Sequence, residues 1–361
     1  MSAEPLARLA LPPQTLRDAS ALVEAGLLRP ERRAEIEAVA ARYAVAVTPA
    51  VADLIDPADP ADPIARQFVP AAAELVTLPE ERADPIGDDA HSPVAGVVHR
   101  YPDRLLLKLV HACAVYCRFC FRRETVGPGG PTLLEGAALD AALAYVADHK
   151  EVWEVILTGG DPLVVAPRRL AGVMRRLAAI DHVKIVRFHS RVPVVAPERV
   201  TPELVAALAS PGKTSYLAIH ANHPRELTPG ARAAIARLAE GGIGLVSQTV
   251  LLKGVNDDVE TMAALMRAFV EARVKPYYLH HADLAPGTAH FRTTIAEGQA
   301  LMAALRGRLS GLAQPTYVLD IPGGYGKVPV GPAYADLAAA TVTDPAGRLH
   351  GYGAPTAGEE S

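Results

Sequence analysis

Every cysteine in the 361-residue sequence lies within eight residues, as Cys113-Ala-Val-Tyr-Cys117-Arg-Phe-Cys120. Disulfide frameworks use an even number of dispersed cysteines, and this set is neither even nor dispersed. A structural zinc site takes four tetrahedral ligands, and there is no fourth cysteine. Free cysteines do pack in cores as small hydrophobes, but that use does not gather all of them into one short loop. Three thiolates suit a 4Fe-4S cluster, whose fourth iron is left open to a substrate or cofactor.

Two glycine-rich strings also carry chemical potential. Thr158-Gly159-Gly160-Asp161-Pro162 is by itself an ordinary strand exit, although paired glycines let a backbone approach a ligand and offer it N–H and C=O groups. Asp320-Ile-Pro-Gly-Gly-Tyr-Gly-Lys327 reads equally well as a turn with an exposed lysine. Its glycines do not follow the G-x4-G-K-[ST] order of a phosphate-binding loop. A lysine in such a loop could form a Schiff base with pyridoxal phosphate (PLP) where its surroundings favour the neutral amine.

With its C-x3-C-x2-C spacing and Phe119 before the last cysteine, the cysteine loop resembles the signature of the radical S-adenosylmethionine (SAM) superfamily. The lysine string resembles the PLP-lysine motif of the lysine 2,3-aminomutase family, and that resemblance runs over most of residues 95–335. It implies a 4Fe-4S cluster on Cys113, Cys117 and Cys120, and a SAM site built from Phe119, Gly159, Gly160, Asp161, His220 and Gln248. In His99-Arg100-Tyr101-Pro102-Asp103-Arg104 it implies that Arg100 and Arg104 grip the PLP phosphate and that Tyr101 lies against the pyridine ring. Guanidinium forks and aromatic planes suit those tasks. Lys327 is the implied catalytic lysine.

For substrate, the resemblance assigns Arg122 to the amino-acid carboxylate and Asp283 with Asp320 to a remote ammonium. On their own, Arg104 reads equally as a surface ion pair, His220 as a core histidine and Gln248 as a partner of the next strand. Asp283 and Asp320 read equally as a turn cap and a strand end. The implied activity is a radical 1,2-amino migration converting L-lysine to β-lysine, fed by an electron donor such as flavodoxin or ferredoxin. Another amino acid such as glutamate, or lysine destined for elongation factor P, is the alternative; two carboxylates on one ammonium favour lysine. Cys120-Phe-Arg-Arg and Tyr277-Tyr-Leu-His280 resemble the short branch of the family. Longer members carry C-terminal zinc-binding cysteines. Residues 341–361 have none, so zinc is not expected, and whether the chain forms a homo-oligomer is left open.

The elements that must position these residues are legible as periodicity. Apolar strands at Leu105–Val110, Glu154–Leu157, Val183–Phe188, Ser215–Ile219, Leu245–Val250, Pro276–Leu279 and Tyr317–Leu319 alternate with amphipathic helices. That alternation predicts an α/β fold with a parallel sheet. Polar motifs recur after successive strands, which favours a barrel whose loops converge on one site, and the resemblance narrows this to a partial (β/α)6 radical SAM barrel. Expected divisions are an N-terminal helical region, 1–95, the barrel with its PLP site, 96–335, and a C-terminal tail, 336–361. Pro79–Pro93 is expected to be an acidic surface connection. The net charge of −4 gives no reason to expect a nucleic-acid partner. No apolar run is long enough for a bilayer, and Met1–Pro13 lacks the pattern of a secretory signal. The expected setting is cytoplasmic.

Overall fold

Nine strands hydrogen-bond in strict chain order. They are β1 (Val97–Tyr101), β2 (Arg104–Val110), β3 (Glu154–Gly159), β4 (Ile185–Ser190), β5 (Thr214–His220), β6 (Gly244–Val250), β7 (Lys275–His280), β8 (Thr316–Ile321) and β9 (Gly326–Pro329). The computed structural model describes residues 14–127, 132–209 and 212–352. Strands β2 to β8 are parallel, whereas β1 and β9 fold back antiparallel on β2 and β8. Six helical crossovers therefore link seven parallel strands, a (β/α)6 repeat followed by a closing strand. A side chain ties the two edge strands together, because the Lys327 N–H donates to the Tyr101 hydroxyl at 2.7 Å.

Local sequence explains the crossovers. The helices at Pro167–Ala178, Pro202–Leu208 and Pro229–Glu240 begin with proline in the first turn, where its missing N–H is harmless. The side chains of Thr201, Thr228, Asp258 and Thr294 accept N–H groups at four helix starts. Strand β3 is buried along its whole length, as a parallel strand covered on both faces should be.

The structure departs from the sequence reading in several elements. The third expected strand, 183–188, begins and ends two residues later, as β4. The edge strands β1 and β9 were not anticipated. Residues 335–351 form a small antiparallel sheet, Ala335–Asp336, Thr341–Thr343 and Leu349–Gly351; the end of the expected tail, 353–361, lies outside the described residues, as do residues 1–13. The acidic connection is not confined to the surface either, since Asp88 within it is buried among arginines. Before the barrel, Leu22, Ile36, Val51, Ile64 and Phe68 join the same hydrophobic cluster as the barrel strands. Among the described residues, no helix is long and apolar enough to cross a membrane.

Candidate active site

The cysteine loop leaves β2 just after a bulge that shifts its register with β3 between Lys108 and Val110. Irregularities of this kind re-aim a chain at a strand end. The Gly159-Gly160 exit of β3 docks directly on that loop: the Gly160 N–H donates to Val110 O and the Asp161 N–H to Ala112 O at 3.0 Å. A Cβ at Gly160 would lie 2.2 Å from Ala112 O, and Gly159 holds φ +110, a backbone that side chains disfavour. The glycines are thus required for contact between two loops. Asp161 is buried, and its carboxylate accepts from Ser190 Oγ at 2.7 Å and from the Arg191, Val192 and Leu163 N–H groups. Its acceptor capacity is largely committed to the exit of β4.

The three cysteines line a cavity of about 520 Å³ inside the barrel. Burial pushes the Cys113 thiol well above its ordinary range and the Cys120 thiol up to about 11. Thiols in such surroundings need a bound cation to become thiolates. Among the described residues, no three His, Cys, Asp or Glu side chains converge on a single metal ion. The three thiols are soft sulfur donors of the kind that hold iron–sulfur clusters. Cys117 Sγ accepts a hydrogen bond from Arg191 Nη1 at 2.9 Å.

A relay of side chains crosses β5, β6 and β7. His220 Nε2 lies 2.6 Å from Gln248 Oε1, and Gln248 Nε2 lies 3.1 Å from His280 Nε2. Gln248 cannot donate through its oxygen, so His220 donates to it and His280 Nε2 accepts from its amide. Burial lowers the His220 pKa to about 3 and also lowers that of His280, which keeps both imidazoles neutral. His280 Nδ1 then faces Lys327 Nζ at 3.2 Å.

Lys327 occupies this position because β8 and β9 form a hairpin in which Asp320 pairs with Lys327. Directly opposed residues present neighbouring side chains, and the Lys327 ammonium meets the Asp320 carboxylate. Burial would raise the Asp320 pKa, but His280 and Lys327 outweigh it and hold the carboxyl far below the usual range. Asp283, in the loop after β7, is pushed up to about 7 by burial and by the charge of Asp320. The sequence string read as a glycine-rich turn is therefore a hairpin, with only residues 322–325 forming its turn.

At the other edge, the Arg104 guanidinium stacks 3.7 Å from the Tyr101 ring centroid and pairs with Asp103 at 2.7 Å. Asp88 bridges Arg122 at 2.8 Å and Arg100 at 3.2 Å. Sequence reasoning missed Asp88 because Asp84-Pro-Ile-Gly-Asp88-Asp89 has the composition of a loop. Its neighbour Gly87 packs closely against the lysine turn, where a Cβ would lie 2.4 Å from Gly324 N, a contact no local sequence pattern announces. Also missed were Arg191, Gln67 and Glu226 beside the cysteine loop.

All sixteen residues proposed from the sequence line this one cavity, from Arg100 and the three cysteines to Asp320 and Lys327. Several cavity-lining side chains bear buried atoms that lack a partner among the described residues, including His189 Nε2, Arg191 Nε and Arg100 Nε. Buried polar atoms are normally paired, so these donors and acceptors suit polar ligands such as SAM and a phosphate.

A parallel barrel with three cysteines in the loop after its first parallel strand is the architecture of a radical SAM enzyme, and residues 107–266 match the family described as the Radical SAM superfamily. Residues 302–341, which include the hairpin, match the family described as Lysine-2,3-aminomutase. The chain is 42% identical over 307 residues to the L-lysine 2,3-aminomutase of Acetoanaerobium sticklandii, covering 85% of this chain and 74% of that one. It is 43% identical over 290 residues to the L-lysine 2,3-aminomutase of Clostridium subterminale, covering 80% and 69%. To the glutamate 2,3-aminomutase of Clostridioides difficile it is 35% identical over 319 residues, covering 88% and 75%. The chain belongs to the lysine 2,3-aminomutase family of radical SAM enzymes, and its activity is that of an isomerase. The family implies SAM and a 4Fe-4S cluster.

Proposed function

We propose that the chain is a PLP-dependent 2,3-aminomutase acting on L-lysine. One observation carries this reading: a single cavity is lined both by the three cysteines and by Lys327 with its two aspartates. When bound, the cluster and SAM supply a radical that removes and returns a substrate hydrogen, and PLP supplies the group on which the amine migrates.

The protein's own residues bind and orient. Cys113, Cys117 and Cys120 hold the cluster. The Gly159-Gly160 backbone, Phe119, His220 and Gln248 form the SAM site, with Asp161 fixing the β4 exit beneath it. Arg100, Tyr101 and Arg104 form the PLP site with Lys327, and Arg122 takes the substrate carboxylate in competition with Asp88. Lys327 must lose a proton from Nζ to bond to an aldehyde, while Asp320 stabilises the protonated amine. Asp320 and Asp283 favour a substrate with a remote ammonium, because leaving a buried charge unpaired is costly. A glutamate side chain would place a third carboxylate beside them.

Anaerobic reconstitution with iron, sulfide, PLP and SAM, followed by reduction and a panel of amino acids, tests the reading. A β-amino product from lysine is expected. Product from glutamate but not lysine would overturn the substrate, and no β-amino product from any amino acid would overturn the reaction.

A further inference from the structure

The side chain of Arg191, at the exit of β4, is 7% exposed, and its surroundings fix its direction. Nη2 donates to Gln67 Oε1 at 2.5 Å and to Glu226 Oε2 at 2.7 Å. The guanidinium carbon stands 4.5 Å from the Phe68 ring centroid and 5.3 Å from that of Phe119. The braces are themselves held: Glu226 Oε1 accepts from the Asn222 and His223 N–H groups, and Asn222 Nδ2 donates to Gln67 Oε1. Nε has no partner among the described residues, and Nη1 is directed at Cys117 Sγ at 2.9 Å. Among the described residues, Cys117 alone of the three cysteines accepts a side-chain hydrogen bond.

We infer that Arg191 is a positioning residue that raises the reduction potential of the cluster, through a charge-assisted N–H···S hydrogen bond to Cys117 kept in line by Gln67 and Glu226. The inference rests on the assignment of the three cysteines to a 4Fe-4S cluster. Reduction adds one electron to the cluster, supplied by the external donor, and the added negative charge is stabilised by a nearby buried cation. Hydrogen bonds to cluster sulfurs and net local charge are among the terms that set such potentials. Gln67 belongs to the helix Pro63–Phe68, so a segment outside the barrel acquires a part in setting the electron affinity of the site.

The test is an anaerobic redox titration of full-length, reconstituted protein without SAM, followed by electron paramagnetic resonance of the reduced cluster. Arg191→Met is expected to lower the reduction equilibrium constant at least tenfold, 59 mV for a one-electron couple. Arg191→Lys keeps the charge but not the planar fork, and Gln67→Met keeps the guanidinium but loosens it; both are expected to shift the potential in the same direction by less. Wild-type potentials in Arg191→Met and Arg191→Lys at wild-type iron and sulfide content would overturn the inference. Should Arg191→Met hold no cluster, Arg191→Lys and Gln67→Met decide on the same terms. A wild-type protein that assembles no 4Fe-4S cluster would overturn the cluster assignment as well, which separates the two failures.

Discussion

Asp320 and Asp283 share one corner of the cavity and sit in opposite protonation regimes, and the difference is set by what touches each. Asp320 has Lys327 and His280 as partners and stays ionised, whereas burial and the charge of Asp320 push Asp283 up to about 7. For Asp283 the folded-state pKa lies above the ordinary 3.8. Folding therefore takes up a proton between those values, and the stability contributed by protonated Asp283 is complete at low pH and lost as pH rises through about 7. Between pH 6 and 8 the cofactor-free protein should lose roughly 1.4 kcal/mol from this group, about 2 °C in Tm. Asp283→Asn should remove that part of the pH dependence, and equal losses in variant and wild type would refute the assignment. Lys327→Ala is expected to abolish the visible absorbance of lysine-bound PLP; an unchanged spectrum would mean that another lysine carries the cofactor. The residue types at these positions were legible in the sequence. Their coupling was not, because cross-strand pairing in the hairpin brings Asp320 to Lys327 across seven positions of chain.

At the scale of elements, the sheet places the motifs in contact. The β3 exit touches the cysteine loop backbone to backbone, with no room for a methyl group at Gly160. Gly160→Ala should destabilise the protein by about 3 kcal/mol, as overpacking at an unyielding backbone does, and should reduce iron incorporation. Denaturant unfolding together with iron analysis would check this, and wild-type values in both would show that the loop approach is dispensable. The seven parallel strands were legible because they are short apolar runs between amphipathic helices. The edge strands were hidden for a physical reason. In β1, Arg100 and Tyr101 are polar or amphipathic because they face the site, while His99 turns to Tyr145 and His149 on the other side, and β9 is four residues long with glycine and proline at its ends. Both elements were masked by the functional residues they carry.

Across the whole molecule, the segment before the barrel braces the cysteine loop. Glu74 is fully buried and takes Arg118 at 2.6 Å together with Arg123, two arginines that flank the last cysteine. Arg118 also donates to Ala44 O at 2.7 Å, while Arg123 stacks 3.5 Å from the Tyr43 ring centroid and donates to Arg118 O at 2.9 Å. The sequence showed helices here but no chemistry, since a lone glutamate in Ala-Ala-Ala-Glu-Leu carries no motif. Its role follows from long-range packing alone. One carboxylate is the ion-pair partner of two buried guanidinium groups, so its removal leaves both without their counter-charge in a medium that solvates charge poorly. Glu74→Gln should therefore lower stability by about 3–5 kcal/mol and speed amide exchange in residues 113–123. Glu80→Gln provides the contrast, because Glu80 is 51% exposed in its pair with Arg292 and its loss should change stability by less than about 1 kcal/mol. Hydrogen exchange and chemical denaturation of both variants decide the matter: equal, small effects would show that the cysteine loop holds its shape without the brace. A large effect confined to Glu74→Gln would make the N-terminal region a working part of the metal site.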